Sequence, residues 1–266
     1  MSALVIGSTG KTGRRILSRL TDLGHPVRGV SRRTDIVFDW ERPETWSAAL
    51  EGIDAAYVCY YSDLAVPGAP GVIEAFAEKA ASAGVERLVL LSGRGEHQAE
   101  NCEDIIRESG LGWTIVRAGW FAQNFDEGDL RQDVVDGTIA LSAGETPEPF
   151  VDAEDIADVA AAAMVDERHA GRVYDVTGPR LLTFHDAAAM LTEASGRPVR
   201  YMPLTDAQFR AALAEHPYGE FLADLCAEVF DGRNAHLGTG VQDAIGREPR
   251  SFADYCAAAE AAGAWR

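Results

Sequence analysis

The chain has 266 residues, 47% of them hydrophobic, enough to bury one sizeable α/β core with a C-terminal elaboration but too few for two independent domains. Its 42 acidic and 24 basic residues leave a formal charge of −18, which opposes binding to nucleic-acid phosphates and to anionic membrane surfaces. Cys59, Cys102, Cys226 and Cys256 are widely spaced, with no C-x-x-C pair and no metal-ligand spacing, so no metal site is expected. The first residues lead straight into an apolar run without a basic leader, and no later run reaches bilayer-spanning length. A cytoplasmic protein, monomeric or homodimeric, is the expectation.

Short apolar runs alternate with stretches of helical periodicity, the pattern of a doubly wound, Rossmann-type α/β fold with a parallel sheet. In chain order the runs Ala3–Ile6, Val27–Val30, Ile36–Phe38, Ala55–Cys59, Leu88–Leu91 and Trp113–Val116 predict strands. Thr12–Leu23, Ala69–Ala83 and Ala99–Ser109 predict crossover helices, the last two stopped by Gly84 and Gly110. Past Arg117 the pattern loosens into a short helix near Asp126–Val135, a turn at Asp136-Gly137 and brief strands at Ile139–Leu141 and Phe150–Val151. Helices then dominate (Glu154–Met164, Phe184–Ala194, Asp206–Ala214, Phe221–Phe230, Phe252–Ala262), interrupted by strands at Val173–Val176 and Val199–Met202. With no low-complexity linker, the reading is one domain over 1–266: a core of about 1–120 and a substrate lobe from about 121–152 and 175–266.

Gly7-Ser8-Thr9-Gly10-Lys11-Thr12-Gly13 lies between the first strand and the first helix, where glycines let backbone amides approach a pyrophosphate at a helix N-terminus. Gly10-Lys11-Thr12 imitates the end of a nucleotide-triphosphate loop, but the glycine that such a loop needs five positions earlier is Val5. About twenty residues past the loop, where a carboxylate would hold the ribose hydroxyls of NAD, stand Ser31-Arg32-Arg33. Two guanidinium groups there suit a 2′-phosphate, so NADP(H) is the expected cofactor. Lys11 is a further phosphate ligand by position, and Asp39 is placed to meet the adenine.

A tyrosine that protonates a developing alkoxide, with a lysine four residues on, is the usual carbonyl-reducing pair on this fold. Lysine occurs only at 11 and 79, and neither follows a tyrosine by four. Hydride transfer belongs to the cofactor, so the missing pair favours acceptors that need little acid assistance: an iminium ion first, an enone or quinone next. Candidate groups follow the strand ends, where doubly wound folds place their ligands. After Ala55–Cys59 these are Cys59, Tyr60 and Tyr61; after Leu88–Leu91, Ser92 and then His97; after Trp113–Val116, Gly119, Trp120 and Phe121. Ser92, Tyr60 and His97 are the candidate polarising or proton-transferring groups. Cys59, Tyr60, Ser92 and Gly119 are expected beside the cofactor. Tyr61, Trp120, Phe121, Asn124, Phe125 and Phe150 are expected to line an apolar pocket for a cyclic or aromatic small molecule. Asp152, Glu154 and Asp155 precede an alanine-rich helix and read mainly as its cap and dipole partners.

Together, Gly7-x-x-Gly10-x-x-Gly13, Arg32-Arg33, the run from Val85 to Ser92, the run from Ile115 to Phe125, and Asp155-Ile156-Ala157-Asp158-Val159-Ala160 resemble the atypical short-chain dehydrogenases with NmrA-like domains. Gly10-Lys11-Thr12, Phe38-Asp39-Trp40, Thr45-Trp46 and Pro149-Phe150-Val151-Asp152 resemble more narrowly the agroclavine and festuclavine dehydrogenase group of ergot alkaloid biosynthesis. The resemblance implies an NADPH-dependent reductase of an iminium or conjugated acceptor without a Tyr/Lys pair, and it does not imply an ergot substrate. It also admits quinone and triphenylmethane-dye reductases, and regulators that bind the dinucleotide as redox sensors without turnover. A nucleotide-sugar epimerase or dehydratase, which needs the missing pair, ranks last. Relatives often carry Arg-Pro-Gly or Arg-Pro-Thr where this chain has Arg117-Ala118-Gly119.

Overall fold

The computed structural model describes residues 1–266. Its strands are β1 (Ala3–Ile6), β2 (Val27–Val30), β3 (Ala55–Val58), β4 (Arg87–Gly93), β5 (Gly112–Ala118), β6 (Thr138–Leu141), β7 (Arg172–Val176) and β8 (Arg200–Pro203). The helices are α1 (Lys11–Asp22), α2 (Trp46–Leu50), α3 (Ala69–Ser82), α4 (His97–Glu108), α5 (Leu130–Asp136), α6 (Ala153–Val165), α7 (Phe184–Ser195), α8 (Asp206–Ala212), α9 (Gly219–Val229), α10 (Gly240–Ile245) and α11 (Phe252–Ala261). Six strands form one parallel sheet in the order β2-β1-β3-β4-β5-β7, and β6 pairs with β8 apart from it. None of the helices is long and apolar enough to cross a membrane.

β1 and β3 are buried on both faces, which is why they read as unbroken apolar runs. Alternate side chains of β1 serve two cores. Leu4 and Ile6 face a layer holding Ile73 and Phe76 of α3, Ile106 of α4 and the rings of Phe38, Trp40 and Trp46. Ala3 and Val5 face Ile16 and Leu20 of α1 and Ile156, Val159 and Ala160 of α6. The buried stripe Thr12, Gly13, Ile16, Leu20 fixes the face that α1 turns inward. On its other side Arg15 Nε donates to Glu154 (2.5 Å) and Arg19 bonds Glu154 and Asp158, tying the first crossover helix to α6.

A third core gathers Phe125, Phe150, Phe184, Phe252 and Trp265 with residues of α5, β6, α7, β8, α8, α9 and α11, giving the lobe a centre of its own. Within the stretch 175–266, α10 sits instead on the sheet side, where Val241 and Ala244 pack with the α6 layer.

Ile36–Phe38 is not a strand. Only Val37 bridges, to Ser31; Ile36 and Val37 are exposed, while Phe38 turns into the ring cluster of Trp40, Trp46 and Phe76. The run is apolar because one ring is needed in that cluster, and Thr34 Oγ1 meanwhile satisfies the Ser31 amide (2.7 Å). Phe150–Val151 likewise makes a single bridge, to Phe121. The helix expected from Asp126 begins at Leu130, and α2 and α10 are short helices that the sequence pattern did not announce.

Candidate functional site

A cleft of about 1190 Å³ runs along the C-terminal ends of β1 to β5 and under the lobe. One end is built by the glycine loop. Gly7 takes a φ of +71°, and its carbonyl accepts from the Gly10 amide (2.8 Å), closing a tight turn against Cys59. A Cβ on Gly13 would stand 2.2 Å from that same carbonyl oxygen, so only glycine lets α1 press this closely on the loop. α1 has no side-chain cap and no acidic residue in its first turn, so its leading amides remain open beside Thr9, Gly10 and Lys11 in the cleft wall. An uncapped, carboxylate-free helix start in a concave wall has the form of a pyrophosphate seat. Ser31, Arg32 and Arg33 border the cleft where β2 ends, and Arg32 lies over the ring of Tyr61 (4.3 Å). Asp39 also lines this end. The residues present therefore fit a dinucleotide carrying an additional phosphate.

At the other end the wall changes character. Leu204, Phe209 and Leu213 around α8 and Leu222, Leu225, Cys226 and Val229 of α9 form an apolar side. Trp120 stands on Phe230 (4.8 Å between rings) next to it. Asp63, Glu96 and Glu148 also line the cleft. The Glu96 carboxyl rests on the backbone of Gly93 so closely that a Cβ there would lie 2.0 Å from it. Burial holds Asp63 and Glu96 above the ordinary carboxyl range, and the charge of Asp63 pushes Glu96 further up. Burial pushes Glu148 up to about 7, against the opposing pull of Arg94.

Comparison with known proteins places these features in a family. The pattern of an NAD(P)H-binding domain matches residues 7–167, and that of the NmrA-like family matches residues 98–255. The chain belongs to the NmrA-like family. A (4-alkanoyl-5-oxo-2,5-dihydrofuran-3-yl)methyl phosphate reductase of Streptomyces griseus is 33% identical, and agroclavine dehydrogenase of Claviceps fusiformis is 32% identical, with 96% of each chain covered in both alignments. The NADPH-dependent quinone oxidoreductase of Escherichia coli, solved with NADPH, shares the fold at a TM-score of 0.82 and 22% identity, covering 97% of this chain and 99% of that one. This NmrA-like chain is an NAD(P)H-dependent reductase of the atypical short-chain dehydrogenase class.

Within this NmrA-like cleft the expected residues divide. Gly7, Thr9, Gly10, Lys11, Thr12, Ser31, Arg32, Arg33, Asp39, Cys59, Tyr60, Tyr61, Ser92, Gly119, Trp120, Phe121 and Asn124 all border it. Ser8 and Gly13 lie behind the wall, Ser8 packed towards Gly29 and Gly13 under the loop. Phe125 and Phe150 do not reach the cleft: they are buried in the lobe core, 5.6 Å apart, because the lobe needs large rings at its centre. His97 is exposed on a separate hollow with Glu228 and His236, too far round α4 to serve as acid or base in the cleft. The Ser92 hydroxyl donates to Glu103 (2.7 Å), a carboxylate also gripped by Arg117 (2.7 and 2.6 Å), so it is aimed away from an acceptor. The Thr12 hydroxyl is likewise engaged by Tyr57 (2.9 Å). Lys11 Nζ reaches across the cleft to Asn124 Oδ1 (2.7 Å), joining the glycine loop to the lobe. Asp152 caps α6 through the Glu154 amide (2.9 Å) and takes a bond from Gln123 (2.8 Å).

Sequence reasoning missed Asp63, Glu96 and Glu148 and the apolar side from α8 and α9. The three acids come from three separate loops, and no local spacing links them. The amphipathic character of α9 was the available signal for the apolar side.

Proposed function

We propose that this chain transfers hydride from NADP(H) to a small cyclic or aromatic acceptor, an iminium ion or a conjugated enone- or quinone-like compound, without a tyrosine–lysine pair. The observation that carries this reading is the continuity of the cleft: an open helix N-terminus, two arginines at the end of β2 and an apolar wall from α8 and α9 border one space. Gly7, Thr9, Gly10 and Lys11 would hold the pyrophosphate, Ser31, Arg32 and Arg33 the 2′-phosphate, and Asp39 the adenine. Cys59, Tyr60, Ser92 and Gly119 would border the nicotinamide. Bound there, the reduced cofactor supplies a hydride, that is, two electrons and a hydrogen nucleus.

The chain's own residues then orient the acceptor and exclude water from it. Trp120, Phe121 and the side chains of α8 and α9 favour a flat apolar molecule. The Streptomyces relative is named for a substrate whose ring double bond is conjugated with carbonyl groups, which supports a conjugated acceptor here. Four unpaired thiols suit the cytoplasm, and the protein is proposed to act as a monomer or homodimer. The test is NADPH consumption with a panel of cyclic iminium ions, enones and quinones. Turnover of at least one class is expected; tight NADPH binding with no turnover across the panel would instead favour a dinucleotide sensor.

A further inference from the structure

Hydride addition to a conjugated carbonyl compound leaves an enolate, which must take up a proton. Of the groups first expected to give it, His97 is outside the cleft, Ser92 is committed to Glu103, and Tyr60 borders the cleft but is pushed by burial above the already high range of a phenol. Glu148 is placed well. It lies between Pro147 and Pro149 and is fixed by paired backbone hydrogen bonds with Leu182, each 2.9 Å. Its next neighbour, Pro149, brings its carbonyl oxygen to 3.2 Å from where a Cβ on Gly119 would stand, so the segment abuts the turn after β5. The Glu148 side chain is only 1% exposed and borders the cleft, and its Oε1 has no hydrogen-bond partner. Nε1 of Trp120, another residue lining the cleft, is also without a partner. Buried polar atoms are nearly always satisfied, so an unpartnered acid oxygen and an unpartnered indole donor on two residues that line one cleft point to a ligand with polar atoms of its own.

The charged groups around Glu148 leave it free to carry a proton. Arg94 is the nearby cation, but it is held by Asp175 (2.7 Å) and by the carbonyls of Asn234 (2.7 Å) and His236 (2.8 Å). On the outer side Glu145 pairs with His185 (3.2 Å). Asp63 and Glu96 border the same cleft, but burial holds both above the ordinary carboxyl range and the Asp63 charge opposes ionisation of Glu96.

We propose that Glu148 is the proton donor that completes reduction of a conjugated carbonyl acceptor in this cleft. The inference rests on the reductase reading above. The acceptor receives hydride at its electrophilic β-carbon, the carbon–carbon π pair becomes the enolate double bond as the carbonyl π pair moves onto oxygen, and the Glu148 O–H bond breaks as its proton passes to the enolate α-carbon. The acceptor gains two electrons, the dinucleotide loses two, and the Glu148 carboxylate regains a proton from solvent. An iminium ion accepts hydride and becomes a neutral amine with no proton required.

The test uses the full chain, wild type against Glu148→Gln and Glu148→Asp, with two readouts. Carboxyl-carbon NMR of glutamate-labelled protein is expected to show a group titrating near 7 that is missing from Glu148→Gln. Turnover is then followed across pH with a cyclic enone and a cyclic iminium ion. Wild-type enone turnover is expected to decline as Glu148 ionises above about 7. Glu148→Gln should lack that limb and lose roughly a hundredfold in kcat on the enone, with a far smaller loss on the iminium ion, while Glu148→Asp recovers part of the enone rate. Equal losses on both acceptors, an unaltered pH limb, or no glutamate titrating near 7 would overturn the donor role alone. Wild-type protein that reduces neither acceptor would overturn the reductase reading and the donor role with it.

Discussion

Arg32 and Arg33 follow β2 as exposed residues, Arg32 stacked on Tyr61, and neither is held by an ion pair. A charge-assisted hydrogen bond contributes about 1.5–3 kcal/mol, so removing these donors should act on the phosphorylated dinucleotide and barely on the other. Replacing both arginines with alanine is expected to weaken NADPH binding by roughly 10- to 100-fold while NADH affinity moves little. Fluorescence titration with the two dinucleotides checks it, and equal losses would contradict the 2′-phosphate assignment. At this scale the sequence was most informative where a residue's place follows from one strand end, as for these arginines, which border the cleft where β2 ends. It was least informative for Ser92, which sits at the expected strand end but is drawn off by Glu103 on α4, a partner that no spacing along the chain reveals.

The turn between β1 and α1 joins local pattern to tertiary packing. Its three glycines were legible because each answers a backbone demand: the positive φ at Gly7, the tight turn at Gly10 and the close approach at Gly13. Gly13→Ala would set a methyl 2.2 Å from the Gly7 carbonyl, forcing α1 away from the loop. The expected result is a loss of about 1–3 kcal/mol in urea unfolding together with weakened NADPH binding; unchanged affinity would show that the loop does not hold the cofactor. Ile36–Phe38 shows the opposite case. Three apolar residues in a row satisfy a strand pattern, yet beside the edge strand β2 only Val37 makes a bridge, and Phe38 is drawn into the aromatic layer beneath the sheet. β7, read from Val173–Val176 among the C-terminal helices, supplies the sixth strand at the other edge.

Across the whole molecule, the lobe is joined to the sheet by charges as well as by packing. Asp155 is fully buried on α6 and is held by Arg247 and Arg250, while Arg15 and Arg19 reach α6 from α1. Asp155 and Glu154 therefore do more than cap a helix, and the sequence concealed this because their partners lie about a hundred residues away. The same separation hid Asp63, Glu96 and Glu148, which come from three separate loops and all line the cleft. Fold class and cofactor end were legible because they repeat a local unit of strand, turn and helix. The acceptor end was not, because it is made by convergence.

The central claim, hydride delivery from the dinucleotide to a small acceptor, is tested most directly by isotope transfer. The protein is incubated with NADPH deuterated at nicotinamide C4 and with a cyclic enone, and the product is examined by mass spectrometry and NMR. One deuterium at the electrophilic carbon, absent when the protein is omitted, is the expected result; bound and protected NADPH whose deuterium reaches no iminium, enone or quinone would contradict it.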